Sequence, residues 1–115
     1  MKTAAEQRKV LLERELERIV HHLVERYDPE KIILFGSLAQ GNVHEWSDVD
    51  LAIIKGTDKK FLDRIEEVLL LVQPTVGLNV VVYTPEEVKR MIDEDHYFFV
   101  DEILGKGEVL YDKSP

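Results

Sequence analysis

Cysteine is absent from all 115 residues of the sequence. The chain can therefore form neither a disulfide framework nor a thiolate metal site, which suits a reducing compartment. It also has no uninterrupted apolar stretch near the ~20 residues that a membrane-spanning helix needs. The N-terminal segment MKTAAEQRKVLLERELERIV alternates charged and apolar residues, unlike a signal peptide. These absences predict a soluble, cytoplasmic protein with no membrane partner.

Positive charge is also scarce. The sequence has 15 lysines and arginines against 23 acids, which gives a net charge of -8. The averaged field of such a surface repels a phosphate backbone, and the basic patch of a duplex-binding protein is missing. Nucleic acid is therefore disfavoured as a partner. The length predicts one compact domain, residues 1–115, with a modest core.

Apolar periodicity predicts alternating helices and strands. Spacings of three and four predict a first helix that ends at Asp28-Pro29. Strands are predicted at 31–35, 48–54 and 77–83, with EVLYD near the C-terminus as a candidate fourth. Helices are predicted from a cap at Thr57 or Asp58 to Gln73-Pro74, after Thr84-Pro85, and over 96–104. This order favours an α/β (α+β) protein with a small sheet of three or four strands packed against helices.

Two aspartates stand at the start of the second predicted strand. Because side chains alternate along a strand, Asp48 and Asp50 share one face, with Cα atoms about 6.5 to 7 Å apart. Two carboxylates converging on one point repel each other unless a cation intervenes. Oxygen ligands with open positions for water and phosphate suit Mg2+. As an isolated pair, however, aspartates at the start of a strand are more often structural.

Gly36 and Ser37 follow the first predicted strand. Glycine lets the backbone approach a ligand closely, and the serine hydroxyl together with free N–H groups can hold a phosphate. Taken alone, this pair is equally typical of an ordinary strand-to-helix turn with a serine cap. Combined with the aspartate pair, it forms a phosphate cradle beside a metal site, the arrangement that phosphoryl or nucleotidyl transfer requires.

The segments GSLAQG at 36–41 and SDVDL at 47–51 together resemble a known family. A glycine-serine turn followed about ten residues later by a D-x-D strand is similar to the nucleotidyltransferases of the DNA polymerase beta superfamily, especially their minimal, MNT-type members. The likeness continues through VVVYTPEEV and the C-terminal GKGEVLYD. It implies a nucleotidyltransferase fold with a mixed sheet.

The resemblance also implies roles for single residues. Gly36 and Ser37 would grip a nucleoside triphosphate, with ATP the expected donor, and Asp48 and Asp50 would hold Mg2+. The reaction would transfer a nucleoside monophosphate to an acceptor hydroxyl and release pyrophosphate.

At one position the sequence departs from the family pattern. Active members carry a third carboxylate on the next strand, and the aligned residue here is Asn79. Its amide oxygen can serve as a metal ligand, but it cannot act as a base. We therefore expect a weaker second metal site and the loss of a general base, an effect worth about 10²- to 10⁴-fold in rate.

The resemblance further implies a protein partner. Minimal members resemble the antitoxin half of a toxin–antitoxin pair and act on, or beside, a helical HEPN-type protein. A catalytically weakened binding module, serving a partner or a homo-oligomer, stays open as the alternative. A nucleic-acid polymerase or a tRNA nucleotidyl-adding enzyme is disfavoured, because the chain lacks the charge and length for template or tRNA contacts.

Other residues carry weaker predictions. Lys55, Arg64, Lys89 and Arg90 are candidates for balancing the charge of a triphosphate. Trp46, just before the aspartates, is predicted to pack its loop against the core rather than to stack on a base. The acids 93–95 are predicted to be a solvated patch. The aromatics at 97–99 would either complete the core or form a docking surface.

Overall fold

A computed structural model describes residues 1–114 of the chain. The elements follow one another as α1 (Ala4–Arg26), β1 (Lys31–Phe35), α2 (Gly36–Gln40), β2 (Val49–Ile54), α3 (Phe61–Val72), β3 (Leu78–Tyr83), α4 (Pro85–Asp93), α5 (Phe98–Gly105, wound as a π-helix) and β4 (Glu108–Asp112). The predicted α+β class and mixed sheet are confirmed, and EVLYD forms the fourth strand.

The four strands form one sheet in the order β3-β2-β1-β4. β1 runs antiparallel to both of its neighbours, β2 and β4, whereas β2 and β3 are parallel. The parallel pair is possible because α3 crosses between β2 and β3, as parallel strands require a long connection. As a result, the end of β1 and the starts of β2 and β3 lie at one edge of the sheet.

Each face of the sheet is covered by helices. On one face Val49, Leu51 and Ile53 of β2 belong to a core that includes buried residues of α1 and α3. On the other face Ala52 and Ile54 pack with residues of α5. Asp50 shares this second face by alternation.

Local capping explains two helix starts. Thr3 caps α1 and Thr84 caps α4, each through a reciprocal capping box with the glutamate three residues on. The predicted cap of α3 is wrong, because α3 begins at Phe61 after Lys60, which makes no side-chain cap bond. Thr57 instead accepts a hydrogen bond from the Lys59 N–H within the preceding turn.

Across residues 1–114, no helix combines the length and apolar character that crossing a membrane would demand.

Candidate active site

The five residues predicted from the sequence meet at the edge where β1 ends and β2 and β3 begin. Asp50 is paired in register with Phe35 of β1 on one side and with Asn79 of β3 on the other. Gly36 follows Phe35 directly, so the glycine-serine turn lies next to Asp50. The sheet register thus brings together residues that are up to 43 positions apart, Gly36 and Asn79.

Each aspartate lies against a glycine. A Cβ atom at Gly36 would overlap the carboxylate of Asp50, and a Cβ atom at Gly77 would overlap that of Asp48. Gly36 also has φ +77°, in the left-handed region that glycine tolerates. The two carboxylates therefore fit only because the residues at positions 36 and 77 have no side chains.

The side chain of Asn79 is directed at Asp50. Its Nδ2 donates a hydrogen bond of 2.9 Å to Asp50 Oδ1. Burial raises the pKa of the Asp50 carboxyl; the nearby negative charge of Asp48 raises it further, whereas the Asn79 hydrogen bond lowers it. The amide thus supplies part of the charge compensation that a cation would give to Asp50.

Ser37 belongs to a small hydrogen-bonded network centred on Ser47. The Ser37 hydroxyl donates to Ser47 Oγ at 2.9 Å, and Ser47 Oγ also accepts from the His44 N–H at 2.9 Å. Ser47 is only 3% exposed. The buried Ser47 hydroxyl therefore links the glycine-serine turn to the segment that directly precedes Asp48.

One charged residue of the site was missed at the sequence level. Arg8 of α1 donates from Nε to the Ser47 carbonyl at 2.8 Å, and its Nη2 lies 3.5 Å from Asp48 Oδ1. It stands 40 positions before Asp48, on a helix whose other arginines are mostly at its surface. Arg8 differs from the other arginines of α1 only in its position, which is in the first turns of the helix near the open edge of the sheet.

Two of the candidate cations from the sequence are engaged elsewhere. Lys55 follows the opposite end of β2 and donates to the Tyr27 carbonyl at 2.6 Å. Arg64 is buried and bonds the Val82 carbonyl and the Glu87 carboxylate. Lys89 and Arg90 are exposed on α4, and neither makes an ion pair within the described residues.

A groove of about 420 Å³ opens beside Asp50. Its lining includes Phe35, Asn79 and Phe98, and the Phe35 and Phe98 rings pack edge to face with centroids 5.7 Å apart. Phe98 remains 40% exposed, whereas Phe99 is fully buried. Both interpretations of the aromatic cluster thus hold in part, since one ring completes the core and its neighbour lines an open surface.

The prediction for Trp46 is wrong. Its side chain is 78% exposed and does not pack the loop against the core. That loop is held instead by the Ser47 hydroxyl and by a hydrogen bond from the Trp46 N–H to His44 Nδ1. The acids 93–95 are exposed as predicted.

The donors at the site fit one hard divalent cation rather than a closed metal cage. Asp48 and Asp50 supply two carboxylates at the start of β2, close enough for the charge of Asp48 to raise the pKa of Asp50. Within residues 1–114, no group of three or more histidines, cysteines and acids is placed to hold a metal ion. A cation bound here would keep open positions for water or phosphate oxygens.

A family model described as polymerase beta nucleotidyltransferase matches residues 17–115. The chain belongs to this family. A relative from Methanocaldococcus jannaschii, provisionally named as protein adenylyltransferase MJ0604, is 33% identical over 101 residues, which cover 86% of this chain and 97% of the relative. The resemblance drawn from the GS and D-x-D motifs is therefore confirmed.

Solved structures show the same nucleotidyltransferase fold. A Sulfolobus solfataricus protein, provisionally described as a nucleotidyltransferase, superposes with a TM-score of 0.70 at 16% identity, over 98% of this chain and 91% of that one. A chain from a toxin–antitoxin structure solved with AMP-PNP superposes with a TM-score of 0.54 at 20% identity, over 85% of this chain and 73% of that one.

Proposed function

We propose that this nucleotidyltransferase moves AMP from ATP to a hydroxyl group of a partner protein, in a reaction that depends on Mg2+. The observation that carries the proposal is the position of Asp48 and Asp50 at the start of β2, beside the glycine-serine turn and near enough for the charge of Asp48 to raise the pKa of Asp50. The adenylyltransferase name of the M. jannaschii relative supports ATP as donor and protein as acceptor. The net charge of -8 also favours a protein target over nucleic acid.

Each site residue has a defined task in this proposal. Asp48 and Asp50 would hold Mg2+, which when bound offsets the charge of the triphosphate and of the departing pyrophosphate. Gly36 leaves room for the Asp50 carboxylate beside the triphosphate, and the Ser37 hydroxyl would turn from Ser47 to donate a hydrogen bond to a phosphate oxygen. The acceptor oxygen forms a bond to the α-phosphorus as the bond to the bridging oxygen of pyrophosphate breaks. The hydroxyl proton passes to water, because Asn79 cannot accept it.

The groove beside Asp50 is the route we assign to the acceptor. It opens between Asn79 and the exposed ring of Phe98, next to the Asp50 carboxylate. An aromatic wall of this kind suits a hydroxyl carried on an apolar or aromatic side chain. We therefore propose a helical, HEPN-type partner in a toxin–antitoxin pair, with this chain as the antitoxin. The neighbour from a toxin–antitoxin structure supports a toxin–antitoxin setting, and the HEPN type of the partner is the finer part of the proposal.

The decisive assay uses the protein together with a co-expressed partner. We expect α-labelled ATP and Mg2+ to label the partner, and we expect the label to disappear in Asp48→Asn and Asp50→Asn. Asp63→Asn, which removes an exposed carboxylate on α3, is the matched control and should label normally. Absence of label from the wild-type protein with its genuine partner would contradict the transferase proposal.

A second candidate function is favoured by the side chain of Asn79. Because it places an amide where active relatives carry a carboxylate, the site lacks a third acid, and the fold would then act as a binding module for its partner. In that case the wild-type protein forms a tight complex without label. The complex would survive Asp48→Asn and would be weakened by changes at the groove, such as Phe98→Ala.

A further inference from the structure

The carboxylates and the proposed ligand both carry negative charge. Asp48 and Asp50 lie together, and a triphosphate adds several negative charges beside them. Mg2+ neutralises only part of this sum. A cation from the protein near the phosphates would offset the rest, and Lys55 and Arg64 are bonded near the opposite ends of β2 and β3.

Arg8 is the cation that the fold delivers to this edge. Its Nε is anchored on the Ser47 carbonyl at 2.8 Å, and the side chain is only 23% exposed. The anchor fixes the base of the guanidinium, while Nη2 reaches Asp48 Oδ1 at the longer distance of 3.5 Å. An anchored guanidinium with one loosely held N–H arm can change partners without leaving the site.

We infer that Arg8 is a triphosphate-binding residue that pairs with Asp48 while the site is empty and turns to a phosphate oxygen when nucleotide and metal arrive. This inference rests on the proposed function, since it assumes a nucleoside triphosphate as the ligand. Arginine suits the task because its planar fork can hold phosphate oxygens with two N–H groups. Without nucleotide, Arg8 and a metal ion compete for the Asp48 carboxylate.

The competition gives Arg8→Ala two effects of opposite sign. Removing the guanidinium frees Asp48, so affinity for Mg2+ alone should rise by about two- to five-fold, the range for a partly exposed ion pair. Affinity for AMP-PNP in the presence of Mg2+ should fall by about ten-fold or more, because a charged hydrogen bond to phosphate is lost. A residue that merely supports the fold would weaken both.

The experiment measures both affinities by isothermal titration for wild type, Arg8→Ala, Arg8→Lys and Arg14→Ala. Arg14 is an exposed arginine of the same helix, and its variant should match wild type. Arg8→Lys keeps the charge without the fork and should fall between wild type and Arg8→Ala for nucleotide. Because it retains a long, charged side chain, it also provides a folded variant should the alanine variant prove unstable.

The outcomes separate the two proposals. A parallel loss of Mg2+ and nucleotide affinity, or nucleotide binding equal to wild type in Arg8→Ala, overturns the inference about Arg8 and leaves the transferase proposal intact. Tight nucleotide binding with the opposite shifts, but no transfer to a partner, supports Arg8 and contradicts catalysis. A wild-type protein that binds no Mg2+–nucleotide overturns both.

Discussion

Asn79 and Asp50 are register partners on adjacent parallel strands, and the amide of one donates a 2.9 Å hydrogen bond to the carboxylate of the other. The amide stabilises the ionised carboxylate in the empty site without adding a third negative charge. The same geometry places any carboxylate introduced at position 79 directly against Asp50.

We predict that Asn79→Asp lowers the stability of the metal-free protein and raises its transferase activity. Without Mg2+ the added charge faces Asp50, so the midpoint of thermal unfolding should fall. With Mg2+ a third carboxylate can bind metal and accept a proton, so partner labelling should rise by about 10²- to 10⁴-fold. Asn42→Asp adds the same charge in the loop after α2 and should not increase labelling. Unchanged labelling in Asn79→Asp would mean that the residue does not limit the reaction.

Two glycines offer a matched test of the contact with Asp50. Gly36 and Gly41 have nearly equal φ angles, +77° and +75°, so alanine meets similar backbone strain at either site, about 1 to 2 kcal/mol. Only at Gly36 does the new Cβ overlap a carboxylate; at Gly41 nothing lies within 4 Å. We expect Gly36→Ala to abolish measurable Mg2+–nucleotide binding and Gly41→Ala to retain it. Equal nucleotide affinities, measured by titration, would exclude a role for close packing at Gly36.

Ser47→Ala should loosen the turn that precedes the aspartates. The change leaves the His44 N–H without its acceptor and frees the Ser37 hydroxyl, and we expect the loss of both hydrogen bonds to cost about 1 to 3 kcal/mol of unfolding free energy in urea titrations. Ser37→Ala removes only one of these bonds and should cost less. If Ser37→Ala were as destabilising as Ser47→Ala, the His44 contact would carry no weight.

Glu15 should make stability depend on pH in the acid range. Hydrogen bonding from Arg18 lowers the pKa of this buried carboxyl to about 2, with help from the Thr75 N–H. Because the folded-state pKa lies below the ordinary value of 4.5, the stabilisation is complete above pH 4.5 and is lost as the pH falls toward 2. The full contribution is about 3 kcal/mol.

Urea unfolding at pH 6, 4 and 3 measures this contribution. Glu15→Gln should lower stability at pH 6 and flatten its decline toward pH 3. Glu17→Gln changes an exposed residue two positions further along α1. It should leave the free energy of unfolding, and its dependence on pH, as in wild type. A decline that is equally steep in Glu15→Gln would assign the acid sensitivity to other carboxyls.

The sequence predicts those features that depend on residues close together in the chain. Capping boxes, the strand alternation that pairs Asp48 with Asp50, and the glycine-serine turn are all local patterns, and register then brings Asn79 to the same edge. The cap of α3 could not be found this way. Thr57 has the right chemistry for a cap, but its hydroxyl serves a turn that ends at Lys59, two residues before the helix begins.

Arg8 and Trp46 show where local patterns stop being informative. The contact of Arg8 with Ser47 depends on how α1 lies across the sheet, which is set by Leu12, Ile19 and Leu23 in the core and not by any motif near residue 8. Trp46 is large and apolar, so burial is the expected outcome, yet Ser47 already holds the loop through hydrogen bonds.

Helix α1 contacts Asp48 directly and also holds a loop that packs against Asp48. Arg8 contacts the residue and the carbonyl before it, while Glu15, two turns further along, holds the Thr75 N–H in the loop that ends at Gly77, the glycine packed against the same carboxylate. The position of this aspartate is thus tied to one long outer helix. A partner protein that bound α1 and shifted it along its axis would move Arg8 and the loop before Gly77 together. Binding at the outer surface of α1 would then change the surroundings of the Asp48 carboxylate.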